Sequence, residues 1–127
     1  SSGSVIALLE MSWGTKTGTG SLIKTDWTDY ATMQGYVTLG TKYVASEAGA
    51  GYTLLGEAWR KVRTERPDIE MYHTDQHHPS YAGSYLKACV NYLTLSGKKF
   101  GDNPCDCLLD PQTASYLRSV AESIVLD

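Results

Sequence analysis

The sequence predicts an α/β domain with a parallel sheet between helices, of which this chain supplies the carboxyl-terminal part. Candidate strands and helices alternate along the 127 residues, an order that is typical of parallel sheets covered by helices on both faces. Two or three strands are visible, whereas an average sheet has roughly five or six. We therefore expect residues 1–127 to be the carboxyl-terminal portion of a single three-layer α/β/α domain whose first strands are missing.

The first strand is predicted at residues 5–9, an uninterrupted apolar run with serine and glycine before it and Glu10 after it. A short run of this kind suits a strand that is buried on both faces of a parallel sheet. Residues 11–21 follow with glycine, threonine and serine, which are typical of a loop at the carboxyl end of a strand. Loops in this position often carry functional side chains.

A long helix is predicted next, from Asp26 or Thr28 to about Ala48. Within it apolar side chains recur at helical spacing, and a glycine follows as a stop signal. Gly35 and Gly40 are weak points, because a glycine in a helix interior costs about 1 kcal/mol relative to alanine. Strand and helix together make a first strand-to-helix step.

A second strand-to-helix step follows. Residues 52–55 favour a short strand, and Gly56 leads into a helical segment that must end before Pro67, because the residue before a proline disfavours helix. Residues 69–72 are expected to form a third short extended piece. The basic residues of the helical segment are interpreted as a solvated face: Arg60, Lys61, Arg63 and Arg66.

Two further helices are marked by their capping residues. Ser80 is a predicted N-cap for a helix that runs until Gly97. Asp110 followed by Pro111 is a cap and first-turn signature for the last helix. Both segments carry apolar residues at helical spacing, so each helix is expected to bury one face.

Composition narrows the class of partner. The net charge of −3 gives no clustered positive face for a phosphate backbone, so nucleic acid is not expected as a partner. No apolar stretch approaches the roughly 20 residues that cross a bilayer, so no membrane partner is expected. The three cysteines are too few for a disulfide framework, although a bridge from Cys89 to Cys105 or Cys107 remains open. Three cysteines do not indicate whether the protein resides in an oxidising or a reducing cellular compartment.

The segment HTDQHHPSYAG, residues 73–83, contains all three histidines of the chain. His73, Asp75, His77 and His78 are suitable ligands for zinc or another divalent ion. Adjacent His77 and His78 would have to turn back on one ion, however, and the pattern of two histidines around a glutamate that marks zinc proteases is absent. We therefore expect no metal and no cofactor, and a metal-dependent hydrolase stays the less favoured alternative.

An acid-base pair needs fewer residues. An aspartate and a histidine three residues apart in one turn can hydrogen-bond, so Asp75 would fix the tautomer of His78 while His78 serves as a general base. Pro79 sets its own backbone angle and holds the histidine at the mouth of the following helix. His73 and His77 are interpreted as surface residues of the loop.

The same segment carries a family resemblance. DQHHPSYAGSYLKACVNYLTLSG, from Asp75 onward, resembles the last conserved block of SGNH (GDSL-type) esterases, where Asp-x-x-His-Pro-Ser precedes a helix. LLEMSWG at residues 8–14, YATMQ at 30–34 and GEAWRKV at 56–62 are similar to a gut-bacterial branch of SGNH-type hydrolases. The resemblance covers the chain from about Val5 to about Lys99.

This resemblance implies a flavodoxin-like fold and a serine hydrolase that cleaves carboxylic esters, acylated carbohydrates among them. Asp75 matches the orienting aspartate and His78 matches the base. The Gly-Asp-Ser-like nucleophile block and the oxyanion residues of the family have no match here, so the serine is expected from a missing amino-terminal half or a companion chain. The alternative is a catalytically silent fragment or binding domain that associates with such a partner.

Three further residues are candidates for contact with a substrate. Trp13 follows the first predicted strand, and Glu57 and Trp59 follow the second. Open α/β sheets bind ligands in the crevice at the carboxyl ends of their parallel strands. The sequence therefore predicts that Trp13, Glu57 and Trp59 line this crevice, where tryptophan offers a stacking surface for a sugar ring.

Overall fold

The computed structural model describes residues 7–18 and 29–126, which form a mixed α/β structure. Its elements in chain order are β1 (Leu8–Glu10), α1 (Tyr30–Ala48), β2 (Gly51–Thr53), α2 (Leu55–Glu65), α3 (Tyr81–Ser96) and α4 (Pro111–Val125). The predicted order of strands and helices is confirmed for these six elements. None of the helices in these two ranges is long and apolar enough to cross a membrane.

Strands β1 and β2 pair in parallel, with Leu8 opposite Gly51 and Glu10 opposite Thr53. Helix α1 makes the crossover between them, as parallel neighbours require. The predicted parallel sheet is therefore present, with two strands in the part of the chain that is described. Each of these strands has one edge that no other described strand covers.

Two predictions about strands need correction. The first strand lies at Leu8–Glu10, not at residues 5–9, of which 5 and 6 fall outside the described ranges. It is not buried on both faces, since Leu8 and Glu10 are exposed: α3 reaches this side with the Lys87 ammonium, 3.3 Å from Glu10, and leaves it partly open to solvent. Residues 69–72 form no strand, and only Tyr72 makes an isolated bridge.

Capping side chains determine where α1 and α3 begin. Asp29 caps α1 by accepting a hydrogen bond from the Thr32 amide at 2.7 Å. Its predicted start at residues 26 or 28 lies outside the described ranges. Ser80 caps α3 as predicted, accepting from the Gly83 amide at 3.1 Å. The α3 helix ends at Gly97, whose φ of 68° suits a glycine in the left-handed region.

The main core lies between α2, α3 and α4. Its largest fully buried side chain is Trp59 of α2, and apolar residues of the other two helices surround it. The rest of this core includes Val62, Leu86, Val90, Leu93, Leu117 and Val120. Helix α4 is held at its start by Asp110, as predicted, which accepts from the Thr113 amide at 3.2 Å.

The bridge from Cys89 to Cys105 or Cys107 that the sequence left open is not formed. Cys105 and Cys107 form a disulfide, with Cα atoms 5.2 Å apart, and Cys89 is buried as a free thiol. Burial raises the pKa of the Cys89 thiol to about 11, so this thiol stays protonated. Tyr85 and Tyr81 donate hydrogen bonds to the carbonyls of the two bridged residues and tie their loop to α3.

One face of α1 is exposed to solvent among residues 7–18 and 29–126. Its exposed apolar side chains recur at helical spacing: Tyr36, Leu39, Tyr43 and Val44. The opposite face is buried through Met33, Gln34 and Ala45. A helix with apolar residues on both faces is typical of an element that is covered on both faces. We call these four exposed residues the outer face of α1.

Candidate functional site

The three histidines lie in one loop, residues 73–79, which we call the histidine turn. Tyr72 and Pro79 form an antiparallel bridge at its two ends. One step further into the turn, the His73 amide donates to the His78 carbonyl at 2.7 Å. These backbone contacts close the neck of the loop, so the residues between them are held in a compact turn that leads directly into α3.

The histidine turn is anchored to the loop that follows β1. The Trp13 indole Nε1 donates to the His77 carbonyl at 2.8 Å, and the Lys16 amide donates to the Gln76 carbonyl at 2.8 Å. Gln76 has a φ of 66°, a left-handed conformation that bends the turn tightly. The turn therefore lies at the carboxyl end of β1, the edge at which open α/β sheets place their sites.

Within the turn, Asp75 and His78 form the predicted pair. Asp75 Oδ1 accepts from the amides of His77 at 3.0 Å and His78 at 2.9 Å, and Asp75 Oδ2 accepts from Nδ1 of the His78 ring. The carboxylate thus holds both the backbone and the ring of the histidine. With Nδ1 engaged, Nε2 is left available on a side chain that is 68% exposed.

These hydrogen bonds also determine the charge of the pair. The backbone amides of His77 and His78, and then the His78 ring, hold the pKa of the Asp75 carboxyl well below its usual range. Asp75 is therefore ionised at neutral pH. An ionised acceptor at Nδ1 keeps the proton on that nitrogen, leaves the Nε2 lone pair free, and stabilises the ring when it becomes protonated.

The sequence argued against a metal because adjacent His77 and His78 would have to turn back to reach one ion, and in the structure the two rings do lie side by side. Their ring centroids are 4.3 Å apart, and His77 Nε2 lies 3.6 Å from Asp75 Oδ2. The physical reason is that Asp75 Oδ1 accepts from both amides, so the backbone curls around the carboxylate and brings both rings to it. His73 is separate: its ring contacts Thr74, and it remains a surface residue as predicted.

Trp13 and Trp59 stack on each other, and of this pair Trp13 is the one that reaches the surface. Trp13 is partly buried, and its ring lies 5.0 Å from that of Trp59. Trp59 is fully buried among the core residues and meets Tyr72 edge-on. This burial removes Trp59 from the surface that a substrate could contact. Its role at the site is to support Trp13 from behind.

Glu57 lies in the first turn of α2, at the contact with α1. It accepts from Thr38 Oγ1 at 2.5 Å and lies 3.8 Å from Arg60. In the described ranges it makes no hydrogen bond or ion pair with the histidine turn. The three residues predicted to line one crevice are therefore divided: Trp13 is at the turn, Trp59 is behind it, and Glu57 joins two helices.

A polar cavity beside the histidine turn was not predicted from the sequence. It has a volume of about 210 Å³ and includes Lys16, Arg63, Glu70 and Tyr72 in its lining. Lys16 and Glu70 form an ion pair at 2.6 Å. The sequence predicted that Arg63 belongs to a solvated face, and this is wrong. Its guanidinium donates to the Lys16 carbonyl at 2.7 Å and stacks 3.6 Å from the centre of the Tyr30 ring.

No serine hydroxyl donates to His78 in residues 7–18 and 29–126. Ser80, the nearest in sequence, instead donates to the Glu70 carbonyl at 2.7 Å while it caps α3. The described site therefore contains the hydrogen-bonded Asp75–His78 pair, with no serine hydroxyl bonded to it in these residues.

Comparison with known proteins assigns this chain to no family. A scan against models of protein families gave no match, and searches of the curated proteins and of the solved structures found no significant match.

Proposed function

We propose that this chain is the carboxyl-terminal part of an SGNH-type serine esterase with a flavodoxin-like fold. In this proposal His78 is the general base and Asp75 is the residue that orients it. The observation that carries the proposal is the Asp75–His78 hydrogen bond, which leaves His78 Nε2 free on an exposed ring. The Asp-x-x-His-Pro-Ser motif of SGNH esterases supports the same assignment.

The proposed reaction uses His78 twice. Nε2 takes the proton of a serine hydroxyl while the serine oxygen attacks the ester carbonyl, and the Asp75 carboxylate stabilises the resulting imidazolium. His78 then returns the proton to the departing alcohol oxygen, which leaves an acyl-serine. Water attacks this acyl group by the same route, so the carboxylic acid is released and the serine restored. No step needs a cofactor.

The serine is proposed to come from a partner segment, either an amino-terminal half or a companion chain. The edge of β1 that no described strand covers would accept a parallel strand from this partner. Parallel strands end at the same edge of a sheet, so a serine after such a strand would face the loop that Trp13 anchors. The outer face of α1 offers the partner additional apolar surface.

The substrate class proposed is a carboxylic ester, including esters on carbohydrates. Trp13 supports a carbohydrate, because its partly exposed ring lies against the histidine turn, where an aromatic face could stack on a sugar. Lys87 Nζ lies 5.5 Å from the centre of the same ring. An ester bound against Trp13 would hold its carbonyl beside the turn.

Hydrolysis of p-nitrophenyl acetate by the full-length protein tests this proposal. His78→Ala is expected to lower kcat by more than about 1,000-fold, since removing the base of a serine hydrolase has effects of at least this size. His73→Ala is the matched control, because His73 is an exposed histidine of the same loop. A His78→Ala protein with the wild-type rate would refute the assignment.

A catalytically silent binding domain is the second candidate. It is supported by the uncovered apolar surface of α1 together with the lack of a serine bonded to His78 in the described ranges. This candidate predicts association with a partner and no ester hydrolysis by the full-length protein. Measurable hydrolysis that depends on His78 would exclude it.

A further inference from the structure

We propose that Asp75, His77 and His78 form a binding site for a divalent transition-metal ion, zinc in the first place, and that the bound metal switches off His78 as a base. Metal binding is independent of the esterase proposal, whereas the loss of catalysis rests on it. The two parts are tested by different measurements below.

The geometry brings three donor atoms together. One ligand atom from each of Asp75, His77 and His78 lies within 4.8 Å of the other two. Ligands of a tetrahedral zinc ion, at about 2.0–2.2 Å from the metal, are about 3.4 Å from one another. His77 Nε2 and Asp75 Oδ2 are already 3.6 Å apart. Because all three side chains are exposed, small rotations of the rings can bring the ligand atoms to this spacing, which for the hydrogen-bonded Asp75 and His78 means moving apart to admit the metal.

The backbone of the site is organised before any metal binds. Asp75 Oδ1 is occupied by the amides of the turn, which leaves Oδ2 as the metal ligand. Trp13 holds the His77 carbonyl, and the closed neck of the turn holds His78. A flexible loop would have to lose conformational entropy to gather three ligands, and this turn has already lost much of it.

The donor set determines the class of metal. Two imidazole nitrogens with one carboxylate oxygen suit zinc, nickel or copper, whereas magnesium and calcium prefer oxygen ligands throughout. Three protein ligands also leave one position of a tetrahedral zinc ion open for water. We therefore expect weak or no response to magnesium.

The effect on catalysis follows from the tautomer of His78. In the metal-free pair Nδ1 lies against the Asp75 carboxylate, which favours the proton on Nδ1 and leaves the Nε2 lone pair free. A metal bound at Nδ1 takes the place of that proton, and a neutral imidazole then carries its proton on Nε2. No electrons are transferred; the proton moves between nitrogens through solvent. With Nε2 protonated, His78 cannot accept the proton of a serine.

Titration calorimetry with zinc alone tests the binding site on the chain itself. We expect one zinc ion per chain, no detectable heat with magnesium, and a loss of more than about 100-fold in zinc affinity for His77→Ala. This exceeds the 10–100-fold that loss of an outer-shell partner typically costs. His73→Ala is the matched control and should keep the wild-type affinity within about twofold. Equal affinity in the wild type and His77→Ala, or no zinc binding by the wild type, would overturn the site.

Nitrogen-15 NMR of the histidine rings tests the switch without any need for activity. The chain has only three histidines, so each ring can be assigned. Zinc is expected to move the His78 proton from Nδ1 to Nε2 while the His73 signals stay unchanged. If zinc binds and His78 keeps its proton on Nδ1, the switch is wrong although the metal site stands.

In the full-length protein, zinc is expected to inhibit ester hydrolysis reversibly, with recovery on addition of a chelator. The ratio of rates with and without zinc should be near one in His77→Ala, each variant being compared with its own metal-free rate. Inhibition of His77→Ala to the wild-type extent would refute the proposed link. A full-length protein without esterase activity would contradict the proposed function. The metal site would still be tested by the zinc calorimetry, which does not depend on activity.

Discussion

At the scale of single residues, Asp75 makes the hydrogen bonds that hold both the backbone and the His78 ring of the histidine turn. One carboxylate oxygen ties two backbone amides, and the other orients the His78 ring. Since these contacts favour the ionised form, the pKa of Asp75 is lower in the folded chain than in the unfolded chain. The stability that this provides is present above the unfolded pKa, roughly 3.9, and is lost as pH falls toward the folded pKa.

Asp75→Asn is therefore expected to flatten the acid limb of the stability curve. The amide cannot ionise, so the variant lacks the part of the stability that the wild type loses between about pH 5 and lower values. Urea unfolding at a series of pH values measures this. Asp102→Asn, at another exposed aspartate, is the control. Parallel curves for the wild type and Asp75→Asn would contradict the expectation.

The same substitution also probes the proposed chemistry. An asparagine keeps the shape of Asp75 but favours the wrong tautomer of the neighbouring histidine, and in serine proteases such a change lowers kcat by on the order of 10⁴-fold. We expect a loss of similar size for ester hydrolysis by the full-length protein, with little change in KM. An unchanged kcat would show that His78 needs no orienting carboxylate.

At the scale of elements, the position of α3 depends on a close approach at Gly83. A Cβ atom there would lie 2.5 Å from the Met71 carbonyl oxygen and 2.5 Å from Trp59 Cη2. The first turn of α3 therefore packs directly against the backbone of Met71, just before the histidine turn. Gly40 in α1 is different, since a Cβ atom would meet nothing within 4 Å.

Alanine at these two glycines should have opposite effects. Gly83→Ala is expected to lower the free energy of unfolding by about 1–3 kcal/mol, because the backbone or the Trp59 ring must move. Gly40→Ala should raise it by about 0.5–1 kcal/mol, since alanine is the better helix former and space is available. Denaturant unfolding measures both. A Gly83→Ala protein as stable as the wild type would show that α3 can shift freely.

The cap of α3 allows a third comparison. Ser80→Ala removes the acceptor for the Gly83 amide and the donor to the Glu70 carbonyl, and is expected to cost about 1 kcal/mol of stability. Ser84→Ala, at an exposed position within the same helix, should change stability by only a few tenths of a kcal/mol. Equal effects of the two substitutions in urea unfolding would argue against a capping role.

At the scale of the whole molecule, the described residues leave several apolar side chains of α1 exposed on one face. The outer face of α1 includes Leu39 and Tyr43, each 68% exposed. The sheet has two strands in the described ranges, and each has an edge that no other described strand covers. Contiguous apolar surface of this kind is typical of a contact surface, whereas single exposed apolar residues are common and need no explanation.

The isolated chain is therefore expected to bind a hydrophobic dye or to self-associate. The double variant Leu39→Lys with Tyr43→Lys should reduce the dye fluorescence and the self-association measured by light scattering. Leu108→Lys is the control, because Leu108 is 97% exposed but lies in a loop away from α1. A monomeric chain that binds no dye would contradict a partner surface on α1.

Features that depend on neighbouring residues were predicted from the sequence, whereas features that depend on distant residues were not. The caps at Ser80 and Asp110 and the stop at Gly97 were predicted correctly, because each depends on residues within one helical turn. The burial of Trp59 and the inward position of Arg63 were missed. Both depend on contacts with residues that are distant in the sequence, which helical spacing does not reveal.

By itself, the sequence determined the order of helices and strands, the capped helix ends and the Asp75–His78 pair, since these rest on hydrogen bonds between residues three or four apart. Only the tertiary structure decided that the histidine turn lies at the end of β1, through a Trp13 hydrogen bond that spans 64 residues. It also decided that the His77 ring lies beside the pair and that Trp59 is buried behind Trp13. Short-range hydrogen bonds are specified by neighbouring residues, whereas the packing of distant segments depends on the shape of the whole fold.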